Sequence, residues 1–228
     1  MNKSKKAIIV GASSGIGKAL ARELVKNNYS VGITGRRDEL LLKLQKEHPE
    51  QIHYATSDCT KSNALEDIEK LTTKLGGLDL FIISAGRGTL NLKLDFDIED
   101  KINKLNVIAF TSLVNWGMLF FEKQGYGHLA NISSVASQRG GGLAPAYHAS
   151  KAYQASYLEG MAQRAAHSKS NIDVTDIRPG FVRTPMLQGK EMFWTSTKEK
   201  AAVQIIKAIK RKKRIIYITK RWRFAAWV

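Results

Sequence analysis

Apolar residues along this chain follow two rhythms. Short runs at 6–10, 30–35, 52–57, 80–84, 129–134, 173–178 and 215–219 are almost continuously apolar or β-branched, as strands buried on both faces are. Between them apolar positions recur at helical spacing, first over 18–26 after the opening run. The longest helical candidate is 98–123 and the next is 146–168. Strands alternating with helices predict an α/β fold, a doubly wound parallel sheet of Rossmann type with about seven strands and helices on both faces. The 228 residues make one domain, 1–228, without internal repeat, low-complexity segment or proline-rich linker.

Composition narrows the classes. Cys59 is the only cysteine, which excludes an internal disulfide and a multi-cysteine zinc site, so no metal is expected. The start of the chain has no signal-peptide pattern and no stretch is read as spanning a membrane, so the expected location is cytoplasmic. Net charge is +16, and residues 207–223 hold nine basic residues and no acidic one. The tail, 220–228, alternates Lys220, Arg221 and Arg223 with Trp222, Phe224 and Trp227. Such a pattern suits an anionic membrane surface met by 210–228, with the protein then peripheral to the membrane; the alternative is a terminal helix packed on the domain or a partner. Nucleic acid is the weaker reading, because no recognition motif accompanies the charge.

Chemistry enters with Gly11-Ala12-Ser13-Ser14-Gly15-Ile16-Gly17, placed between the first strand and the first helix. Glycines there let backbone N–H groups approach a pyrophosphate at a helix N-terminus, although G-x-x-x-G-x-G differs from the usual dinucleotide fingerprint. A tight turn alone is the competing reading. At the end of the second strand, where an Asp or Glu would accept the ribose 2′-OH of NAD, stand Gly35, Arg36 and Arg37. Guanidinium groups suit the 2′-phosphate and adenine of NADP, Arg36 foremost, while Asp38 reads as the N-cap of the next helix. Further on, Tyr147 and Lys151 share one helix face a turn apart, so the ammonium is expected to favour the phenolate. Ser134, ending the fifth apolar run, can hold a carbonyl oxygen as charge develops. Any one of these is common; their conjunction is not.

With these residues the chain resembles the short-chain dehydrogenase/reductase family, in its single-domain branch. The resemblance spans the whole chain and rests on Gly11, Gly15, Gly17, Asp58, Ala85-Gly86, Asn106, Ser134, Tyr147, Lys151, Pro179-Gly180 and Thr184. It implies Tyr147 as general acid, Lys151 as tuner and ribose ligand, Ser134 on the carbonyl, and Asn106 ordering a water-linked proton path through Lys151. Around the cofactor it implies the glycine turn with Ser13, Ser14 and Ile16, then Arg36 and Arg37, Ala85, Gly86, Pro179 and Gly180. Thr184 would touch the nicotinamide carboxamide or the phosphates. Asp58 would meet the adenine, with a cap for the next helix as its other reading. Val10 and Ile83-Ser84 depart from the family pattern and put local sheet and turn hydrogen bonds in question.

The implied activity is NADPH-dependent reduction of a ketone or aldehyde, reversibly oxidation of a secondary alcohol; the alternative is a non-catalytic NADP-binding sensor or scaffold. The two long helices would pack against their copies in a homodimer or homotetramer. The segment 181–197 falls at the family's substrate lid, and Met186, Leu187, Met192, Phe193 and Trp194 suit a hydrophobic substrate or core packing equally. Arg139, in a glycine-rich loop, reads as a solvated charge or a contact for an acidic group, and His148 as not catalytic.

Overall fold

The computed structural model describes residues 4–187, 192–219 and 221–225, with 224 and 225 described by backbone alone. In chain order the elements are β1 (Lys5–Val10), α1 (Gly15–Lys26), β2 (Tyr29–Gly35), α2 (Asp38–Glu47), β3 (Ile52–Thr56), α3 (Ala64–Leu75) and β4 (Leu80–Ile83). Then come α4 (Phe96–Asn103), a π-helical segment (Lys104–Ala109), α5 (Phe110–Gln124), β5 (Tyr126–Ile132), α6 (Pro145–His167) and β6 (Asn171–Pro179). The chain closes with the short pair β7 (Val182–Arg183) and β8 (Ser196–Thr197), then α7 (Lys198–Lys210), β9 (Ile215–Ile218) and α8 (Trp222–Ala225).

The main sheet has seven parallel strands in the order β3-β2-β1-β4-β5-β6-β9. The expected doubly wound α/β sheet is therefore present. Alternation along β1 explains its continuous apolar run: Ala7 and Ile9 join the core beneath α1 and α7, while Ile8 and Val10 join the one beneath α3 and α5. The winding reverses between β1 and β4. That switch point opens a crevice beyond the carboxyl ends of the strands.

The long helical candidate is one continuous rod, Phe96–Gln124, with the π segment inside it. It is long and apolar enough to cross a bilayer, and Phe110, Leu113, Val114, Met118 and Phe121 pack into the core against the sheet. The cap expected at Asp38 and the alternative cap reading of Asp58 are corrected. Arg37, in an extended conformation, occupies the cap of α2; Asp38 is its first helical residue, with its carboxylate bonded by Thr56 Oγ1. Asp58 closes a turn by accepting from Thr60 N and Oγ1 at 3.1 and 2.8 Å, whereas α3 starts after Asn63.

At the basic end, Trp222 is buried in an aromatic cluster, with ring centroids 5.3 Å from Phe181, 5.4 Å from Phe193 and 5.6 Å from Trp194. Its indole is thus packed on the domain and unavailable for lipid insertion. Lys210, Lys212 and Arg214 bond Asn27, Asp173 and Glu159. Lys220, Trp227 and the Phe224 side chain lie outside the described residues, as do 188–191 of the lid.

Candidate active site

The glycine turn is built by close contact. Gly11 has φ +90°, and a Cβ there would lie 2.6 Å from Ala85 N; a Cβ on Gly17 would lie 2.2 Å from Gly11 O. The Gly11 and Ala12 N–H groups donate to Thr34 O at 3.0 and 2.9 Å, which ties the turn to β2. Helix α1 then begins at Gly15 with no acidic residue in its first turn, so its positive end faces the crevice without a competing carboxylate. Thr184 lies opposite, its methyl carbon 3.4 Å from where a Gly15 Cβ would be. The departures at Val10 and Ser84 leave the main-chain link intact, since Ser84 N donates to Val10 O at 2.8 Å.

Arg37 closes the turn from the side. Its Nη2 donates to Ser13 Oγ and Ser14 Oγ, each at 2.8 Å, and Nε reaches Ser13 Oγ at 3.3 Å. The guanidinium is held over the turn before any ligand arrives. Arg36 acts toward Asp58: burial of that carboxyl is opposed by the Thr60 bonds and by Arg36, and the balance holds it below the usual carboxylate range. A dinucleotide fits this cradle: Gly11 and Gly17 let the turn pack tightly on Ala85 and on itself beside the start of α1, and Ser13, Ser14, Arg36 and Arg37 supply donors.

The reacting end lies where β4, β5 and β6 finish. Ser134 follows β5, is buried, accepts from Ala136 N at 3.1 Å and donates weakly to Pro179 O at 3.4 Å. The same hydroxyl stands on the side of the Tyr147 phenol and favours its ionised form. On α6, Tyr147 and Lys151 stand one turn apart, with Nζ 5.9 Å from the phenol ring centroid. Gly86 and Gly88, after β4, pass close to both: Cβ atoms there would lie 3.4 Å from Lys151 Nζ and 3.0 Å from the Tyr147 ring. Asn106, fully buried in the π segment, clamps the same loop by accepting from Arg87 N at 2.9 Å and donating to Arg87 O at 2.8 Å.

Burial sets the electrostatics. It pushes the Tyr147 phenol up, against the Ser134 hydroxyl, and brings the Lys151 ammonium down to about 8, against the Asp176 carboxylate. The phenolate expected from Lys151 is therefore corrected: burial raises the phenol, and two of the ammonium's hydrogens go instead to Ile132 O at 3.0 Å and Gln154 Oε1 at 2.9 Å. A protonated phenol beside a buried hydroxyl can donate a proton and hold an oxygen that gains charge.

The family model described as short chain dehydrogenase matches residues 5–218. This chain is a short-chain dehydrogenase. An uncharacterized oxidoreductase of Staphylococcus epidermidis is 28% identical over 192 residues, covering 83% of each chain. Another, from Myxococcus xanthus, is 34% identical over 186 residues, 79% of this chain and 73% of that protein. Among solved structures, ElxO with NADP bound has a TM-score of 0.84 at 22% identity, covering 94% of this chain and 97% of its own. The 3-ketoacyl-(acyl-carrier-protein) reductase of Brucella melitensis, complexed with NADH, has a TM-score of 0.84 at 20% identity, covering 94% and 96%.

As a short-chain dehydrogenase the chain is an oxidoreductase of a family that uses a nicotinamide cofactor. Two residues of this dehydrogenase's site carry no motif. Gln154 links the Asn106 carbonyl to Lys151, its Nε2 donating to Asn106 O at 2.8 Å and its Oε1 accepting from Lys151 Nζ at 2.9 Å. Asp176, buried and held by Ser133 and Arg178, supplies the carboxylate that sustains the Lys151 charge. An Asp on a buried strand is the one signal that marks it. His148 is absorbed by the loop, its Nδ1 lying 2.7 Å from Arg139 O.

Proposed function

We propose that this short-chain dehydrogenase reduces a ketone or aldehyde with NADPH, and reversibly oxidises the secondary or primary alcohol. The observation that carries the reading is the set of buried Ser134 and Lys151 with half-buried Tyr147 between them, the phenol held protonated. When bound, reduced nicotinamide supplies the hydride, so the residues of this chain need to hold the carbonyl and move one proton. Ser134 Oγ bonds the carbonyl oxygen; its present contact to Pro179 O at 3.4 Å is weak enough to give way. Tyr147 donates its phenol proton to that oxygen as charge develops there, and Lys151 stabilises the phenolate that remains.

NADP is favoured over NAD by Arg37 above Ser13 and Ser14, with Arg36 beside it. Asp38, the carboxylate that follows the two arginines in the chain, is bonded by Thr56 Oγ1. A largely apolar substrate is supported by Met186, Met192, Phe193 and Trp194, which stay exposed along the lid. Association into a homodimer or homotetramer belongs to the same reading, and the exposed Ile108, Leu119 and Tyr153 on the rod and α6 support it. The test is a panel of ketones and aldehydes assayed for NADPH oxidation by loss of its near-ultraviolet absorbance, with NADH alongside. Turnover of one or more carbonyls, faster with NADPH, is the expected result; no turnover of any by a protein that binds NADPH would overturn the reading.

A further inference from the structure

The interior side of Lys151 is closed by a side chain that no motif picks out. Gln154 is fully buried, with Oε1 accepting from Lys151 Nζ at 2.9 Å and Nε2 donating to Asn106 O at 2.8 Å. Its partners fix the amide's orientation, because an ammonium only donates and a carbonyl only accepts. Asn131 Nδ2 adds a longer bond to the same Oε1, at 3.3 Å. Asn106 can present its carbonyl sideways because it lies in the π segment, where the Phe110 N–H reaches Leu105 O and Val107 O and passes over Asn106.

We propose that Gln154 is a positioning residue of the site: it clamps the Lys151 ammonium from the interior, turns its remaining hydrogen toward Tyr147, and closes that side to proton exchange. The proposal rests on the reductase reading. Of the three ammonium hydrogens, one goes to Ile132 O at 3.0 Å and one to Gln154, which leaves one for the side on which the Tyr147 ring lies. A primary amide passes a proton only by becoming an imidic acid, so the series Lys151, Gln154, Asn106 is a brace and not a relay.

The surroundings make Gln154 the neutral half of a two-part support for the ammonium. Asp176 of β6 is the charged half, itself bonded by Ser133 and Arg178. The π segment offers neutral Asn106, β5 offers neutral Asn131 and the Ile132 carbonyl, and the loop after β4 offers Gly86 and an exposed Arg87. On α6 itself stand Tyr147 and Ser150, the latter bonded by Asn106 Nδ2 at 3.0 Å.

Two substitutions in the full chain separate bracing from packing. Gln154→Met keeps nearly the same volume and removes both bonds; Gln154→Ala removes them but leaves room for about one water, which restores an acceptor for Lys151 and a donor for Asn106. The readout is the Lys151 titration midpoint, followed by NMR of lysine labelled with carbon-13 at Cε and assigned with Lys151→Arg. Gln154→Met should lower the midpoint by about one to two pH units, the worth of a charge-assisted hydrogen bond. Gln154→Ala should lower it less, while losing more thermal stability than the Met variant. Unmoved midpoints in both variants, or a larger fall in Ala than in Met, would overturn the proposal. Should the Met variant not fold, Gln154→Glu takes its place: it should raise the midpoint by about one unit or more, and no rise would overturn the proposal. None of these readouts needs a substrate, so failure of the reductase reading appears separately, as no carbonyl turnover by the unmodified protein.

Discussion

Under the proposed NADPH reading, removing the Arg37 guanidinium should weaken NADPH binding while leaving NADH binding nearly unchanged. Three N–H···O contacts to Ser13 and Ser14 hold the group over the turn in the free protein. A phosphate arriving there meets a donor whose side-chain freedom is already largely lost, so little further ordering is required. Charge-assisted bonds to a phosphate are worth about 1.5–3 kcal/mol each, and Arg37 is exposed, which places the effect at the lower end of that range. Arg37→Ala should thus weaken NADPH by roughly tenfold to thirtyfold, and Arg36→Ala by a similar or smaller factor. The double variant should lose less than the product of the two, because adjacent guanidiniums serve one dianion. The assay is fluorescence titration of each variant with NADPH and NADH at one ionic strength. Equal weakening of both cofactors would mean that Arg37 supports the turn and does not read the phosphate; an unchanged NADPH affinity in the double variant would refute the reasoning outright.

Two further outcomes follow from the fold. Gly17→Ala should abolish cofactor binding and lower the melting temperature, since its Cβ would stand 2.2 Å from the Gly11 carbonyl in a turn fixed at both ends; a variant binding NADPH normally would contradict that packing. His128, buried on β5 with Nε2 2.8 Å from Thr175 Oγ1, is brought down to about 4 by burial, so its folded value lies below the unfolded 6.5 and stability falls as pH drops from 6.5 toward 4. The loss from this residue should reach about 3 kcal/mol, and urea unfolding of His128→Gln should show a shallower decline over that window than the unmodified protein; parallel curves would assign the acid sensitivity elsewhere.

The central strands β1, β2, β4 and β5 are legible in the sequence because they are buried on both faces and so read as short apolar runs bounded by turn residues. The edge strands β3 and β9, only partly buried, are marked by β-branched residues and by their place between helices. Ser134, Tyr147 and Lys151 are legible through their spacing, and the structure brings all three together. What stays hidden turns on single-residue register or on partners distant in sequence. Asp38 reads as a cap although it lies one position inside the helix, because a carboxylate serves the dipole equally well from the first helical residue. Arg36 and Arg37 are neighbours, and the exit direction of β2 decides which one meets Ser13 and Ser14. The phenolate expected from Lys151 omits desolvation, which no spacing reveals. Nothing in Lys104–Ala109 announces a π segment, and Gln154 looks like any polar position on a helix until the Asn106 carbonyl is seen beside it. Trp222 fits a lipid surface or a packed helix equally well in sequence, and Phe181 and Phe193 decide for packing.

The central claim is that Tyr147 is the proton donor of a carbonyl reductase. Its most direct test is Tyr147→Phe, assayed with NADPH and an accepted ketone or aldehyde, with NADPH affinity measured on the same preparation. The phenyl ring preserves the contact with Gly88 and removes one hydroxyl. General acid catalysis is typically worth about 10²- to 10⁴-fold, so turnover should fall at least a hundredfold while NADPH affinity changes less than about threefold. A Tyr147→Phe variant that retains more than about a tenth of the original turnover would contradict the claim.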